Sequence, residues 1–517
     1  MKRALLSVTL IIMALTGCAS NPVTGKNQLK LISSAQERAI GEQQYGPSRQ
    51  MQGGDYVIEP ELTAYIQEVG NRVARASNVP LPYEFTILNN SVPNAWAMPG
   101  GKIAINRGLL TEMNSEAELA AVLAHEVVHS AASHGASAMT RGMLLQTGLI
   151  ALQISQQDND YGQYVVGAAS LGVQLLSSKH SRAKELESDL YGMRFMSDAG
   201  YNPAAAVDLQ QTFVNLSKGS GRRDDFLSGL FASHPPSQHR ADANRQTLAT
   251  LPEGGEYGRE RYQRMIAGLK RNAPAYKAHD DAVKLMREGN FTQAAQLAQQ
   301  AINLEPRESK FYGLLGDTYR ARGEHATAVQ YYNTALERNS NFFQPHLTRG
   351  LANLQLGSWQ VAEKDLQRSI QLLPTATAYH QLGLIALQTG RNQEAVSYLE
   401  QAATSNSDVG REAGATLARL QLESNPGRYI QGRLGLDQRG YLMVQLQNSA
   451  PLAVRDVQIA IVVLNAQGQI VQREPLSVRD TLPAQQVRNL STRLGPINDQ
   501  NQLRSMRVVV ESAQIAQ

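Results

Sequence analysis

The chain has a single cysteine, Cys18, so it cannot form an intramolecular disulfide. Stability must come from packing and from any bound metal. C-x-x-C pairs and polybasic tracts are absent as well. The 49 basic and 45 acidic residues leave a formal charge of +4 over 517 residues. That balance, evenly spread, argues against nucleic acid as a partner. Long apolar runs are also missing. Met143–Ile154 and Val165–Leu176 are broken by Gln, Gly and Ser, too short to span a bilayer. We expect buried or lid-like helices there, joined by the polar loop 155–163. Charged residues are 18% and hydrophobic ones 42%, as in a globular protein and unlike a disordered one. The length predicts two to four domains.

What is present begins at the N-terminus. Lys2 and Arg3 precede the apolar run Ala4–Leu15, which suits the core of a signal peptide over residues 1–17. The run ends in Leu15-Thr16-Gly17-Cys18, which resembles a bacterial lipobox. That resemblance implies cleavage before Cys18 and acylation of Cys18, as against an ordinary signal peptide that contains a cysteine. Ala19 in the next position resembles an outer-membrane sorting signal. The expected location is the periplasm, lipid-anchored to the inner leaflet of the outer membrane.

Three regions follow, and together they predict an α+β chain that is mainly α. Residues 18–270 mix long helical patterns with a few strands. Residues 275–425 are helical and repetitive. Gly289, Gly323, Gly357 and Gly390 recur at intervals of 34, 34 and 33, and so do Ala294, Ala328, Ala362 and Ala395. Gly316, Gly350 and Gly383 form another set. Small residues at this period let paired helices cross closely, and the pattern resembles the tetratricopeptide repeat. The alternative, an irregular helical bundle, does not account for several position sets in one register. An α-solenoid of this kind presents a concave surface to other proteins. Residues 428–517 change to β-branched runs such as Val457–Leu464, with a turn signal at 466–469, and predict a small β-sandwich-like domain.

The chemistry lies in the first region. His125-Glu126-Val-Val-His129 is an H-E-x-x-H motif on a helical stretch, behind a start signal at Asn114-Ser115-Glu116. Positions four apart lie ~40° apart on a helix, so both imidazoles can face one zinc ion, with Glu126 beside them as general base. A hydrolytic site needs a third protein ligand. His134 is five residues past His129, ~140° around a continuous helix, and points away there. It reads as structural or surface. Glu185 and Asp189 share a helical face in Ser181-Arg-Ala-Lys-Glu185-Leu-Glu187-Ser-Asp189. One carboxylate can bind metal while the other orients a ligand imidazole. An exposed acidic face is the plainer reading of E-x-x-x-D by itself. Glu187, ~200° from Glu185, should face elsewhere.

H-E-x-x-H followed some 56 residues later by E-x-x-x-D resembles the gluzincin metallopeptidases of the HtpX, BepA and CAAX prenyl endopeptidase family. Asn21-Pro-Val-Thr-Gly25-Lys, Asn94-Ala-Trp-Ala-Met-Pro-Gly-Gly101 and Ser233-His234-Pro235 with Arg240 carry the same resemblance. It covers residues 21–250 or so. The appended repeats are similar to those of BepA-type members, whereas the C-terminal β region is not. Glu187-Ser188-Asp189 stands where the family commonly has Glu-Ala-Asp. The resemblance implies a zincin-like endopeptidase with one zinc held by His125, His129 and Glu185. Glu126 and Asp189 would be its catalytic carboxylates, and Asn94, Trp96 and Ala97 would lie on a strand that receives substrate as an added β-strand. His234 would be a regulatory fourth ligand, as against a plain loop histidine before Pro235. Expected clients are unfolded or stalled envelope proteins, above all outer-membrane β-barrel proteins. The repeats would dock the assembly machinery or its clients, and the lipid would reach the membrane. The rival from another class is a periplasmic chaperone or assembly scaffold with a structural or latent metal site. Glu126 counts against it, because a structural site needs no adjacent base. A peptidoglycan-binding adaptor finds no supporting motif.

Overall fold

The computed structural model describes residues 18–146, 165–166, 171, 175, 180–218, 234–497 and 500–516. The signal-like segment 1–17, the loop 155–163 and most of both apolar stretches lie outside the described residues. The described chain is α+β and mainly helical. It falls into two compact units, divided within the repeat region between Pro374 and Thr375.

The first unit opens with a small antiparallel pair, β1 (Cys18–Ser20) and β2 (Asn27–Leu29). A three-stranded sheet follows: β3 (Glu84–Leu88), β4 (Ala95–Met98) and β5 (Lys102–Asn106), in the order β3-β5-β4. β3 runs parallel to β5 and β4 antiparallel. Gly100 and Gly101, at φ +83° and +90°, make the β4–β5 turn, a backbone conformation that a side chain would strain. Helix Pro60–Ala76 starts on a proline and lies on the sheet through Gly70, whose missing Cβ leaves room for the Phe85 ring. Helix Glu116–Ala131 packs in the same core. One apolar cluster runs from Tyr56 and Phe85 through Leu123 to Leu314 and Leu315, so the first repeat helices share the core of the catalytic region. Arg107 sits over the Tyr276 ring at 3.4 Å, and Asn89 and Tyr276 both donate to Glu308 at 2.8 and 2.7 Å.

The repeat periodicity has two separate physical causes. Gly289, Gly323, Gly357 and Gly390 sit at φ +73° to +80° just past the first helix of each pair. The residue after each glycine donates back to the last turn, as Glu324 does to Tyr319 O at 2.9 Å, which closes the helix end. Gly316, Gly350 and Gly383 mark the crossings instead. A Cβ there would meet Tyr332, Leu366 or Leu399 at 2.6–3.0 Å. Ala294, Ala328, Ala362 and Ala395 are fully buried for the same reason.

The second unit holds the last repeat helices and two three-stranded antiparallel sheets. One has the order β10 (Val487–Ser491), β7 (Leu442–Asn448), β6 (Ile430–Leu436). The other has β11 (Met506–Ile515), β8 (Val454–Leu464), β9 (Ile470–Val478). Gly432 on β6 lies against Val508 on β11, and Val444, Leu446, Val457 and Ile459 fill the space between the sheets. The turn after β8 is the predicted one, with Gly468 at φ +78°.

Two glycines of helix Ser309–Ala321 separate packing from propensity. Gly316→Ala drives a Cβ into the buried Tyr332 ring and is expected to cost about 1–3 kcal/mol in denaturant unfolding. Gly313→Ala meets only Pro345 at 3.9 Å and should be neutral or slightly stabilising.

Candidate metal centre

Two capped helices carry the site. Ser115 caps helix Glu116–Ala131 by accepting from Glu118 N–H, with Glu116 and Glu118 in its first turn. Ser181 caps helix Arg182–Asp198 in the same way through Lys184 N–H. The helices cross where Gly192 lies on the backbone of His125. A Cβ there would come within 3.2 Å of His125 N. That close approach turns the H-E-x-x-H face toward Glu185 and Asp189.

His125, His129, Glu185 and His234 each point one donor atom into a common space, all within 4.8 Å of one another. His129 Nε2 is 3.0 Å from His125 Nε2, which is 3.3 Å from His234 Nδ1. Glu185 Oε2 lies 3.2 Å from His234 Nδ1 and 3.5 Å from His125 Nε2, and its Oε1 lies 3.4 Å from His129 Nε2. A tetrahedral ion with ligand bonds of 2.0–2.1 Å separates its donors by about 3.3 Å. The set fits such an ion. Two more observations agree. Glu185 Oε1 and Glu126 Oε2 are buried and accept no hydrogen bond. The far nitrogens of both motif histidines are also taken. His125 Nδ1 is 3.0 Å from Asp189 Oδ1, and His129 Nδ1 is 3.0 Å from His134 Nδ1. For neutral rings that donate from Nδ1, two Nε2 lone pairs face each other at 3.0 Å, and either a proton on His125 or a metal cation relieves that arrangement.

The buried groups shift in both directions. Burial opposes a charge on Glu185, but the neighbouring His234, His125 and His129 hold it well below the usual carboxylate range, while burial and His180 push His129 well below its own. Burial also opposes a charged His125, yet Asp189 and Glu185 lift it to about 10. Burial pushes the Glu126 carboxyl up despite the nearby His234 and His125.

Other residues complete the surroundings. Arg240 grips Asp189 with two bonds of 2.7 Å and reaches Glu185 Oε2 at 3.0 Å. Its Nη1 also donates to Pro235 O, tying down the residue after His234. His234 Nε2 stands 3.6 Å from Glu126 Oε1. The His180 ring lies on His129, with centroids 4.0 Å apart. Sequence reasoning assigned no role to His180 and none to Arg240 beyond a motif. The place of His180, directly before the Ser181 cap, is the one signal that could have found it. His134 does not point away, because the helix is not continuous: Ser133 takes φ +56° and turns the chain back. Glu187 faces away from the metal donors as expected, and it bonds His134.

On the strand side, Trp96 is buried against Tyr45, with rings 5.8 Å apart and at 80°. The Asn94 side chain accepts from Ala95 N–H. Among the described residues β4 pairs only with β5, and none of them adds a strand to its outer edge. Asn106 N–H donates to Asn94 O at 2.8 Å. Alternation along the pair then turns the backbone groups of Ala95 and Ala97 to the outer edge. Ala95 also lines a pocket beside His125 and Glu126, walled by Val122, Met193, Leu209 and Phe213.

Comparison with known proteins gives a match to peptidase family M48 over residues 60–248, and to tetratricopeptide repeats over 282–341 and 376–409. The chain is similar to the beta-barrel assembly-enhancing protease of Yersinia pestis, 26% identical over 371 residues, which cover 66% of this chain and 74% of that protein. The protein of that name from Escherichia coli K12 is 25% identical over 378 residues, covering 67% and 76%. The mitochondrial metalloendopeptidase OMA1 of Schizosaccharomyces pombe is 29% identical over 237 residues, covering 45% and 66%.

The crossing itself can be tested. Gly192→Ala forces the His125 backbone to give way by a few tenths of an ångström. It should cost about 1–3 kcal/mol in stability and lower metal affinity in a chelator competition, with helix content unchanged by circular dichroism.

Proposed function

We propose that this chain, whose residues 60–248 match peptidase family M48, is a metallopeptidase that uses zinc to cleave misfolded or assembly-stalled envelope proteins, outer-membrane β-barrel proteins first among them. The observation that carries the proposal is the convergence of His125, His129 and Glu185 on one space, with a buried, unpartnered Glu126 oxygen beside it. Zinc held by that set supplies Lewis acidity to a carbonyl and to a water. Glu126 takes a proton from the water and delivers one to the leaving amine. Burial raises its carboxyl above the usual carboxylate range, which makes it a readier proton carrier than an exposed glutamate. Asp189 acts through His125, whose ring it orients, and Arg240 keeps Asp189 and Glu185 charged and in place. Ala95 and Ala97 offer backbone groups to an extended client segment, which reads main chain rather than sequence. Trp96 anchors that strand from inside. The apolar pocket has room for a side chain next to the bond that breaks.

The client class rests on the resemblance to the beta-barrel assembly-enhancing proteases, together with the repeats at 275–425 as a docking module. The lipobox at Cys18 supports anchoring in the outer membrane and a periplasmic site of action. Among the described residues, no helix is long and apolar enough to cross a membrane. The alternative, a chaperone or assembly scaffold with a structural or latent site, has one observation in its favour: His234 completes a four-donor set. A regulatory His234 reconciles the two readings, since its withdrawal opens the fourth position.

The full mature chain should contain about one zinc by elemental analysis, lost in Glu185→Ala. Glu126→Gln should keep the metal and lose about 10²–10⁴-fold in peptide hydrolysis. Metal-free wild type would overturn the enzyme reading. Basal hydrolysis should rise in His234→Ala, and an unchanged or lower rate would refute latency.

A further inference from the structure

The two motif histidines are oriented in different ways. His125 meets the carboxylate of Asp189 directly. His129 reaches a carboxylate only through a second imidazole. Its Nδ1 is 3.0 Å from His134 Nδ1, and His134 Nε2 is 3.0 Å from Glu187 Oε1. Hydrogen-bond chemistry fixes the direction of this chain. A carboxylate accepts only, so His134 donates from Nε2 and, as a neutral imidazole, accepts at Nδ1. His129 must then donate its Nδ1–H, which leaves the Nε2 lone pair aimed at the other donors. His134 is 2% exposed, so no water competes for it.

The outer end of the chain is held from a distant part of the sequence. Asn21 Nδ2 donates to the same Glu187 oxygen at 3.1 Å. Its Oδ1 accepts from Val23 and Thr24 N–H at 2.9 and 3.2 Å, and its backbone bonds Lys26 and Gly25. Both halves of the amide are therefore committed, which neither Asp nor Ser reproduces. The residues that follow secure the helix break from which His134 departs. Gln28 donates to Ala132 O, Lys30 to Ser133 Oγ, and Leu31 N–H to Thr140 Oγ1.

We propose that His134, Glu187 and Asn21 are positioning residues of the metal centre, a relay that sets the tautomer, ring angle and donor strength of His129 and makes the Asn21–Lys26 turn part of the site. The proposal rests on His125, His129 and Glu185 being the metal ligands. It couples the Asn21–Lys26 turn to the metal donors through four side chains in series.

Cobalt(II) loaded into the full mature chain reads the relay without any substrate, through its visible absorption and its dissociation constant in chelator competition. Glu187→Gln keeps the size and an acceptor oxygen but removes the charge. It should weaken affinity by about tenfold or more and shift the cobalt bands, with the unfolding midpoint of the metal-free protein unchanged. Asn21→Asp preserves the turn but sets a second carboxylate against Glu187, and should lose about threefold. Affinities within twofold of wild type and unshifted bands in both variants would overturn the relay. Should Glu187→Gln not fold, Asn21→Asp and Asn21→Ser decide by the same criteria. Failure of the wild-type chain to bind cobalt or zinc is read before any variant, and would overturn the ligand assignment beneath the relay.

Discussion

Everything at the site depends on one helix crossing. Helix Arg182–Asp198 lies on helix Glu116–Ala131 with Gly192 against the backbone of His125. Only a residue without a side chain permits that distance. The crossing sets the spacing between Glu185 and the two motif histidines, and it brings Asp189 behind His125. The β3–β5 sheet and the segment with His234 flank this pair. Ser130, one residue past His129, binds Gly101 N–H and Met98 O, so the edge strand is registered to the same helix.

The crossing also concentrates charge in a dry place, and the surroundings answer it with matched partners. Glu185 and Glu126 are buried and Asp189 half-buried, and Arg240 contacts both Glu185 and Asp189. Unpaired, each would be costly to bury. A cation among the donor atoms of His125, His129, Glu185 and His234 would offset part of that cost and would then add to the stability of the fold.

Much of this architecture is legible in the sequence because helical geometry is local. Four-residue spacing puts His125 with His129, and Glu185 with Asp189, on shared faces whatever the rest of the chain does. The 34-residue period announces the repeats, since each unit meets the same two demands: a left-handed residue at Gly323 and its counterparts, and a missing side chain at Gly316 and its counterparts. The alternating β-branched runs near the C-terminus announce strands because a pleated surface exposes every second residue. The local rule fails at His134. The ~140° offset of His134 holds only on an unbroken helix, and the left-handed Ser133 breaks it.

The sequence by itself determined the donor types, their pairing on two helices and the place of Glu126 beside them, because those follow from spacing along a helix of known pitch. It also determined the repeat register, since small residues recur wherever backbones must approach. Tertiary structure alone decided that the His180 ring lies against His129, that Arg240 binds both Asp189 and Glu185, and that Asn21 closes on Glu187. These contacts join residues 51 to 166 positions apart. No periodicity relates such positions, and only the packing of the two helices and the path of the segments around them brings the side chains together.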